Sequence, residues 1–245
     1  MSSKNSHGSL NLRKFSIEDM KPHRIILAVG KRGTGKSVLL MDLLYHLRKK
    51  VEFGIAMTPT EDTRQTFREI MPDSWIYCDY DESALTRMLN SQRAQGKLIS
   101  RDATQKHRHL FLILDDCMYD KKVLKSKSMR DLFFNGRHMR ITFIFAAQYL
   151  MDISPSLRTN VDYIFCMREN IISNRMKLWK FFFGMFASYG DFAKVMDSTT
   201  MNNECLVLDN TTNSNKIEDC IFWYKAMYPS PEFCLGRRAF WKLDL

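Results

Sequence analysis

The chain has 245 residues, 45% of them apolar and 26% charged, with only ten Gly and six Pro. That balance excludes a disordered, collagen-like or low-complexity chain and allows one large domain with a buried core. Lys and Arg number 37 against 27 Asp and Glu, a net charge of +10, which points to a polyanionic partner, nucleic acid before an anionic membrane surface.

No stretch approaches the roughly 20 consecutive apolar residues of a membrane span. The N-terminal run Met1–Ser9 is polar, without a hydrophobic signal region, so a cytosolic protein is expected. Cys78, Cys117, Cys166, Cys205, Cys220 and Cys234 are scattered, with no Cys-x-x-Cys pair. They read as reduced thiols, not as a zinc site.

In chain order, residues 1–20 read as a flexible basic arm, ordered from Phe15, and residues 21–245 as one domain. Arg24–Val29 is rich in β-branched residues and ends at Gly30, the pattern of a buried parallel strand. From Lys36 the period turns helical, with Leu39, Leu40, Leu43, Leu44 and Leu47 on one side and Arg48, Lys49 and Lys50 closing the last turn. Strands are predicted at Phe53–Met57 and Trp75–Cys78, and helices over Asp62–Met71 and Glu82–Gln95. Gly96–Arg108 is polar and basic without apolar spacing and reads as a surface loop.

His109–Leu114 is another buried strand, ending in Asp115 and Asp116. Lys121, Lys122, Lys125 and Lys127 lead into a short helix near Ser128–Phe134. Further strands are predicted at Ile141–Ala147 and Tyr163–Met167, with a helix over Ser173–Phe186 between the latter and two late strands. Those are Cys205–Leu208 and Ile221–Tyr224, which flank the turn-forming run Asn210–Asn215. Alternating strands and helices predict a three-layer α/β domain with a mainly parallel sheet.

Gly30-Lys31-Arg32-Gly33-Thr34-Gly35-Lys36-Ser37 fits G-x-x-x-x-G-K-[ST] in full. Its glycines let backbone N–H groups turn toward phosphate oxygens, and Val38 carries the loop into a helix whose positive end adds to the attraction. Lys36 is expected to neutralise the β/γ-phosphates of ATP and Ser37 to ligate Mg²⁺. Asp115, at the end of a buried strand, is the expected second source of metal coordination, through water. Asp116 is the expected group to polarise the attacking water. Gln148 ends the next strand and would emerge at the same edge, where a neutral amide can sense the γ-phosphate.

Charge developing on that phosphate calls for a cation. Arg137, in Asn135-Gly136-Arg137-His138, is the first candidate and Arg158 the second. The aromatic run Leu178–Phe186 reads as core or subunit interface before a base-stacking platform. The lysines at 121–127 and the basic loop ending at Arg108 are candidate contacts to a DNA backbone, or ordinary solvated faces.

Taken together, the loop Gly30–Ser37, the strand ending in Asp115-Asp116, Asn135–His138 and the strand ending in Gln148 resemble, in their order, a known family. It is the virion DNA-packaging ATPases of large nucleocytoplasmic DNA viruses, the poxvirus-type branch of the FtsK–HerA class of motors. The tail is similar too, at Phe192–Met196, Cys205–Asn210 and Phe222–Ala226. The resemblance covers roughly residues 20–240. It implies a RecA-like P-loop ATPase core and a homo-oligomeric ring. It also implies ATP-driven translocation of double-stranded DNA into a capsid, with capsid or membrane proteins at the packaging vertex as partners. It implies the host cytoplasm, in the viral factory, and the virion as location. Many members of the wider class carry Glu where Asp116 stands, so the shorter acid must let the water sit closer or act as an electrostatic anchor. Two other readings of the same loop are a small-molecule kinase and a nucleotide-gated interaction module. The second acid and the absence of an arginine-rich lid speak against the kinase.

Overall fold

The computed structural model describes residues 3–5, 11–102, 104, 106–117, 122–148, 153–228, 233–236 and 238–241. Its elements in order are β1 (Ser3–Asn5), β2 (Asn11–Lys14), β3 (Ile25–Val29), α1 (Lys36–Leu47), β4 (Phe53–Met57), α2 (Glu61–Arg68) and β5 (Ile76–Tyr77). There follow α3 (Glu82–Arg101), β6 (Leu110–Asp115), α4 (Lys127–Asn135), β7 (Ile141–Ala147), α5 (Pro155–Arg158), β8 (Tyr163–Cys166) and α6 (Ile172–Phe181). The last are α7 (Tyr189–Thr199), β9 (Glu204–Asp209), α8 (Ile217–Cys220), β10 (Ile221–Lys225) and α9 (Arg238–Trp241). Parallel pairings join β2 to β10, β3 to β8, β4 to β5, β4 to β6 and β6 to β7, and antiparallel ones join β1 to β2 and β9 to β8 and β10, the α/β class with a mainly parallel sheet that is expected.

The chain divides into two compact units. The first comprises Met1–Met20, Ile26–Leu43 and Ala147–Tyr228. Its strands run in the order β1-β2-β10-β9-β8-β3, with β3 parallel to β8 and β9 antiparallel to both its neighbours. Residues 11–14, expected in the mobile arm, instead form β2, parallel to β10. The reason is apolar: Leu12 is buried, and the Phe15 ring packs edge-on against Tyr163, Phe165 and Phe222 at 5.6–5.8 Å. Such edge-to-face contacts anchor a segment that its polar flanks made look mobile.

Asp42 on α1 is buried and accepts from the Tyr224 hydroxyl at 2.7 Å and the Met227 N–H at 3.1 Å. The helix that follows the glycine-rich loop is thereby tied to β10 and the residues after it. The aromatic run is core, as read: Phe182, Phe183 and Phe186 are buried, and Phe183 stacks on Phe192 of α7 at 5.2 Å. The helix predicted over Ser173–Phe186 ends at Phe181, because residues 182–186 turn these rings inward against α7.

The second unit comprises Lys21–Ile25, Leu44–Ala146 and Pro229–Leu245. Its strands are all parallel, in the order β7-β6-β4-β5. Strands β6 and β7 are buried at every position, as expected where helices cover both faces of a parallel sheet. Helix α3 runs six residues beyond the predicted Gln95, through Gly96 to Arg101, replacing the first part of the expected loop. A lone Gly costs a helix only about 1 kcal/mol, and the added turns are solvated, so they carry no apolar spacing to read. Trp75 lies between Phe53, Phe111 and Phe240, at ring distances of 4.7, 6.2 and 5.5 Å.

Candidate phosphate-binding loop and strand-end acids

In the first unit the segment between β3 and α1 forms a wrapped loop. Gly33 and Gly35 adopt φ of +76° and +96°, the left-handed region that only glycine enters freely. A Cβ on Gly30 would lie 2.5 Å from Met167 Cβ, so the strand end accepts no side chain there. The Gly30 N–H donates to Ala147 O at 3.1 Å, and the Leu39 N–H to Gly35 O at 3.0 Å, starting α1.

Lys36 is buried, and its ammonium donates to Gly30 O at 2.7 Å and Lys31 O at 3.2 Å. The Thr34 hydroxyl also donates to Lys31 O, at 2.7 Å. The rim of the loop is open: Arg32, Gly33 and Ser37 are exposed. The lysine is thus parked on neutral carbonyls at the positive end of a twelve-residue helix, an arrangement suited to an anion.

Two residues of the loop's surroundings are not among those singled out from the sequence. Glu169, just past β8, pairs with Lys31 at 2.9 Å and also accepts from the Ile171 N–H and Asn174 Nδ2. Burial works against its ionisation, but those donors outweigh it and hold the carboxyl below its usual range. Asn203, itself left-handed at φ 63°, places Oδ1 3.2 Å from where a Gly35 Cβ would stand. The second signal is visible in sequence as the turn-forming pair Asn202-Asn203, whereas Glu169 carries no local signal.

In the second unit Asp115 closes β6, buried, and its Oδ2 accepts from the Thr58 hydroxyl at 3.4 Å. Asp116 follows in the left-handed region, φ 53°, with its N–H on Ala146 O at 3.3 Å. This bend ends the strand. Cys117 is buried, its thiol donating to Met57 O at 3.1 Å. Burial, and then the carboxylates of Asp79, Asp115 and Asp116, push that thiol well above its usual range, so it is no nucleophile.

Gln148 directly follows β7, which runs parallel to β6 with Ala146 opposite Asp115. It therefore leaves the carboxyl edge as expected. Arg137 does not join the acids: it is exposed in the segment before β7, at the amino edge of the same strands. Arg158 lies in the first unit with its guanidinium 3.8 Å from the Phe181 ring centroid, a cation–π contact within its own chain. Of the lysine stretch, Lys121 lies outside the described residues, and Lys122, Lys125 and Lys127 flank the start of α4.

The family described as "Poxvirus A32 protein" matches residues 12–222. Protein L437 of Acanthamoeba polyphaga mimivirus is 31% identical over 242 residues, 96% of this chain and 83% of that protein. Protein 088R of Invertebrate iridescent virus 3 is 34% identical over 203 residues, 83% of this chain and 76% of its own. Among solved structures, the genome packaging NTPase B204 of Sulfolobus turreted icosahedral virus 2, in complex with AMP, superposes with a TM-score of 0.59 at 17% identity. That match covers 85% of this chain and 100% of that one. The pCW3 conjugation coupling protein TcpA gives a TM-score of 0.60 at 15% identity over 90% of this chain and 63% of that one. At these identities the likeness is one of fold, the mixed α/β fold of P-loop NTPases.

Proposed function

The chain belongs to the poxvirus A32 protein family, and from that premise we propose that it is a viral genome-packaging ATPase that translocates double-stranded DNA into the capsid. The observation that carries the reading is the loop at the start of α1. Left-handed Gly33 and Gly35 curve it, and Lys36 rests on two neutral carbonyls. A phosphate can take that ammonium without stranding a carboxylate, at the cost of exchanging one set of hydrogen bonds for stronger, charge-assisted ones.

The residues present fit a nucleoside triphosphate with Mg²⁺. Ser37 is an exposed hydroxyl on the first turn of α1, and Asp115 a buried carboxylate. Both are hard oxygen donors of the kind Mg²⁺ takes. When bound, the nucleotide supplies the phosphoanhydride and the ion screens its charge. The backbone of Gly30–Val38 would wrap the phosphates, Lys36 would neutralise the β/γ-oxygens, and Ser37 and Asp115 would hold the metal. Asp116 would accept hydrogen bonds from the attacking water and orient it. Gln148 would report the presence of the γ-phosphate. Arg137, at the amino edge, would compensate charge on a nucleotide held by a neighbouring copy, which requires a ring.

The fold match to a genome packaging NTPase and the viral relatives support duplex DNA as the substrate moved. They also favour capsid or membrane proteins at the packaging vertex as partners, and the infected cell and virion as location. The net charge of +10 agrees with a phosphate-backbone partner. The deciding experiment is the rate of ATP hydrolysis with and without linear duplex DNA, alongside solution mass. Stimulation by DNA in an oligomer is expected, with Asp116→Asn binding ATP but losing turnover. No stimulation of an intact oligomer, or phosphate delivered to a nucleoside instead of water, would overturn the reading.

A further inference from the structure

Lys31 is held at both ends. Its carbonyl accepts from Lys36 Nζ, the Thr34 N–H and the Thr34 hydroxyl, at 3.2, 3.4 and 2.7 Å. Its own ammonium lies 2.9 Å from Glu169 Oε1, and that carboxylate side chain is only 6% exposed. Glu169 is in turn fixed to the start of α6, accepting from the Ile171 N–H at 2.8 Å and from Asn174 Nδ2 at 3.1 Å. It sits there because β8 is the parallel neighbour of β3, with the Met167 N–H on Val29 O at 2.8 Å.

The loop therefore contains two lysines in different electrostatic states. Lys36 rests on neutral carbonyls and can be drawn to an anion. Lys31 rests on a nearly buried carboxylate that is anchored by two other donors and cannot follow it. Drawing Lys31 away would leave that charge short of its cationic partner, which is costly for a carboxylate itself shielded from water.

We propose that Glu169 is a positioning residue that acts through Lys31. It keeps the Lys31 ammonium off the phosphates and cancels its charge, so that Lys36 alone among the loop's lysines engages the nucleotide and the nucleoside diphosphate can leave. The inference rests on the loop being a nucleotide site. A hydrolysis cycle is slowed by uniform tight binding of the product, and a second free cation in the cradle would supply it.

The test is a titration of the full chain with a fluorescent ADP in the presence of Mg²⁺, with melting temperatures recorded for each variant. Glu169→Gln keeps the shape and frees the lysine charge, and ADP should bind roughly three- to tenfold more tightly. Lys31→Met leaves the Glu169 charge uncompensated beside the loop and should weaken binding by a similar factor. The double variant should return close to wild type. A merely structural role would weaken binding in Glu169→Gln and lower its melting temperature. Unchanged or weaker ADP binding by a folded Glu169→Gln overturns the proposal, as does a double variant that binds ADP as tightly as Glu169→Gln alone. Should Glu169→Gln not fold, Lys31→Met decides alone: ADP binding equal to or tighter than wild type overturns it. Wild-type protein that binds no ADP would overturn the nucleotide reading itself, a separate outcome.

Discussion

The Thr58 hydroxyl donates to Asp115 Oδ2 at 3.4 Å, joining the carboxyl ends of the parallel strands β4 and β6, and both residues are buried. Thr58 is itself fixed, its N–H on Tyr77 O at 3.0 Å and its hydroxyl accepting from the Thr60 N–H. In the metal role proposed for Asp115, a supporting hydroxyl of this kind would set the orientation of the acid. Thr58→Val, which keeps the shape, should lower ATP turnover roughly three- to tenfold and raise the Mg²⁺ concentration needed for half-maximal rate. Thr58→Ser should retain both. Wild-type Mg²⁺ dependence in the valine variant would show that Asp115 needs no such support.

The elements that carry this candidate site are legible in the sequence, and the reason is local. Strands β4 and β7 begin and end where their apolar runs do, at Phe53–Met57 and Ile141–Ala147, because a strand covered on both faces has no polar side to interrupt it. The loop was readable because phosphate wrapping demands glycines at fixed spacing. What escaped was long-range or solvated. Glu169 matters only because β8 pairs with β3, and Thr58 only because β4 pairs with β6. Helix α7 did show Phe192, Val195, Met196 and Thr199 at helical spacing, all now buried, but the preceding aromatic run masked where it begins.

The amino edge of the second unit carries a hydrogen-bonded pair of histidines with a fixed proton order. Arg140 Nη1 lies 3.3 Å from His109 Nε2, and His109 Nδ1 lies 2.8 Å from His23 Nε2. Arginine can only donate, so His109 must accept at Nε2 and donate from Nδ1 to a neutral His23. Burial first, then His109, Arg140, Arg24 and His107, lower His23 to about 4. The unfolded chain, with an ordinary histidine near 6.5, binds the extra proton throughout that window. Stability should therefore be level above about pH 6.5 and decline as pH falls toward 4. The full shift would be worth about 3 kcal/mol, but the ring is half exposed and screened, leaving about 1 kcal/mol. Melting temperature against pH should show this decline, and His23→Asn, which tolerates the left-handed φ of 56°, should flatten it. An identical acid slope in the variant would remove His23 from the account.

Gly54 is directly opposite Phe111 in the β4–β6 register, and a Cβ there would stand 2.4 Å from the Phe111 ring. That ring cannot swing aside, being fully buried and packed edge-on against Trp75. Gly54→Ala should cost about 2–3 kcal/mol in urea unfolding, the range of an overpacked core. Adding Phe111→Leu should recover part of it. If the alanine variant is as stable as wild type, β4 and β6 are not in the register described.

Arg137 stands exposed in the segment before β7, its carbonyl accepting from the Arg140 N–H at 3.1 Å, whereas Asp115 closes the parallel β6 opposite Ala146. Six- and seven-residue strands separate the two edges by about 15–20 Å, beyond the reach of one side chain. Within a chain, then, Arg137 has no access to a phosphate near its own Asp115, and any catalytic effect has to be exerted on another copy. Arg137→Ala should lower turnover by roughly a hundredfold or more while ATP still binds. Lys36→Ala should lose ATP binding but keep an intact Arg137. Mixing the two inactive proteins should restore partial hydrolysis, because some assemblies pair a sound loop with a sound arginine from the neighbour. If mixed oligomers form and stay inactive, Arg137 is not the trans cation. Arg158 would then have to leave the Phe181 ring to serve, and Phe181→Leu, by freeing it, should change turnover.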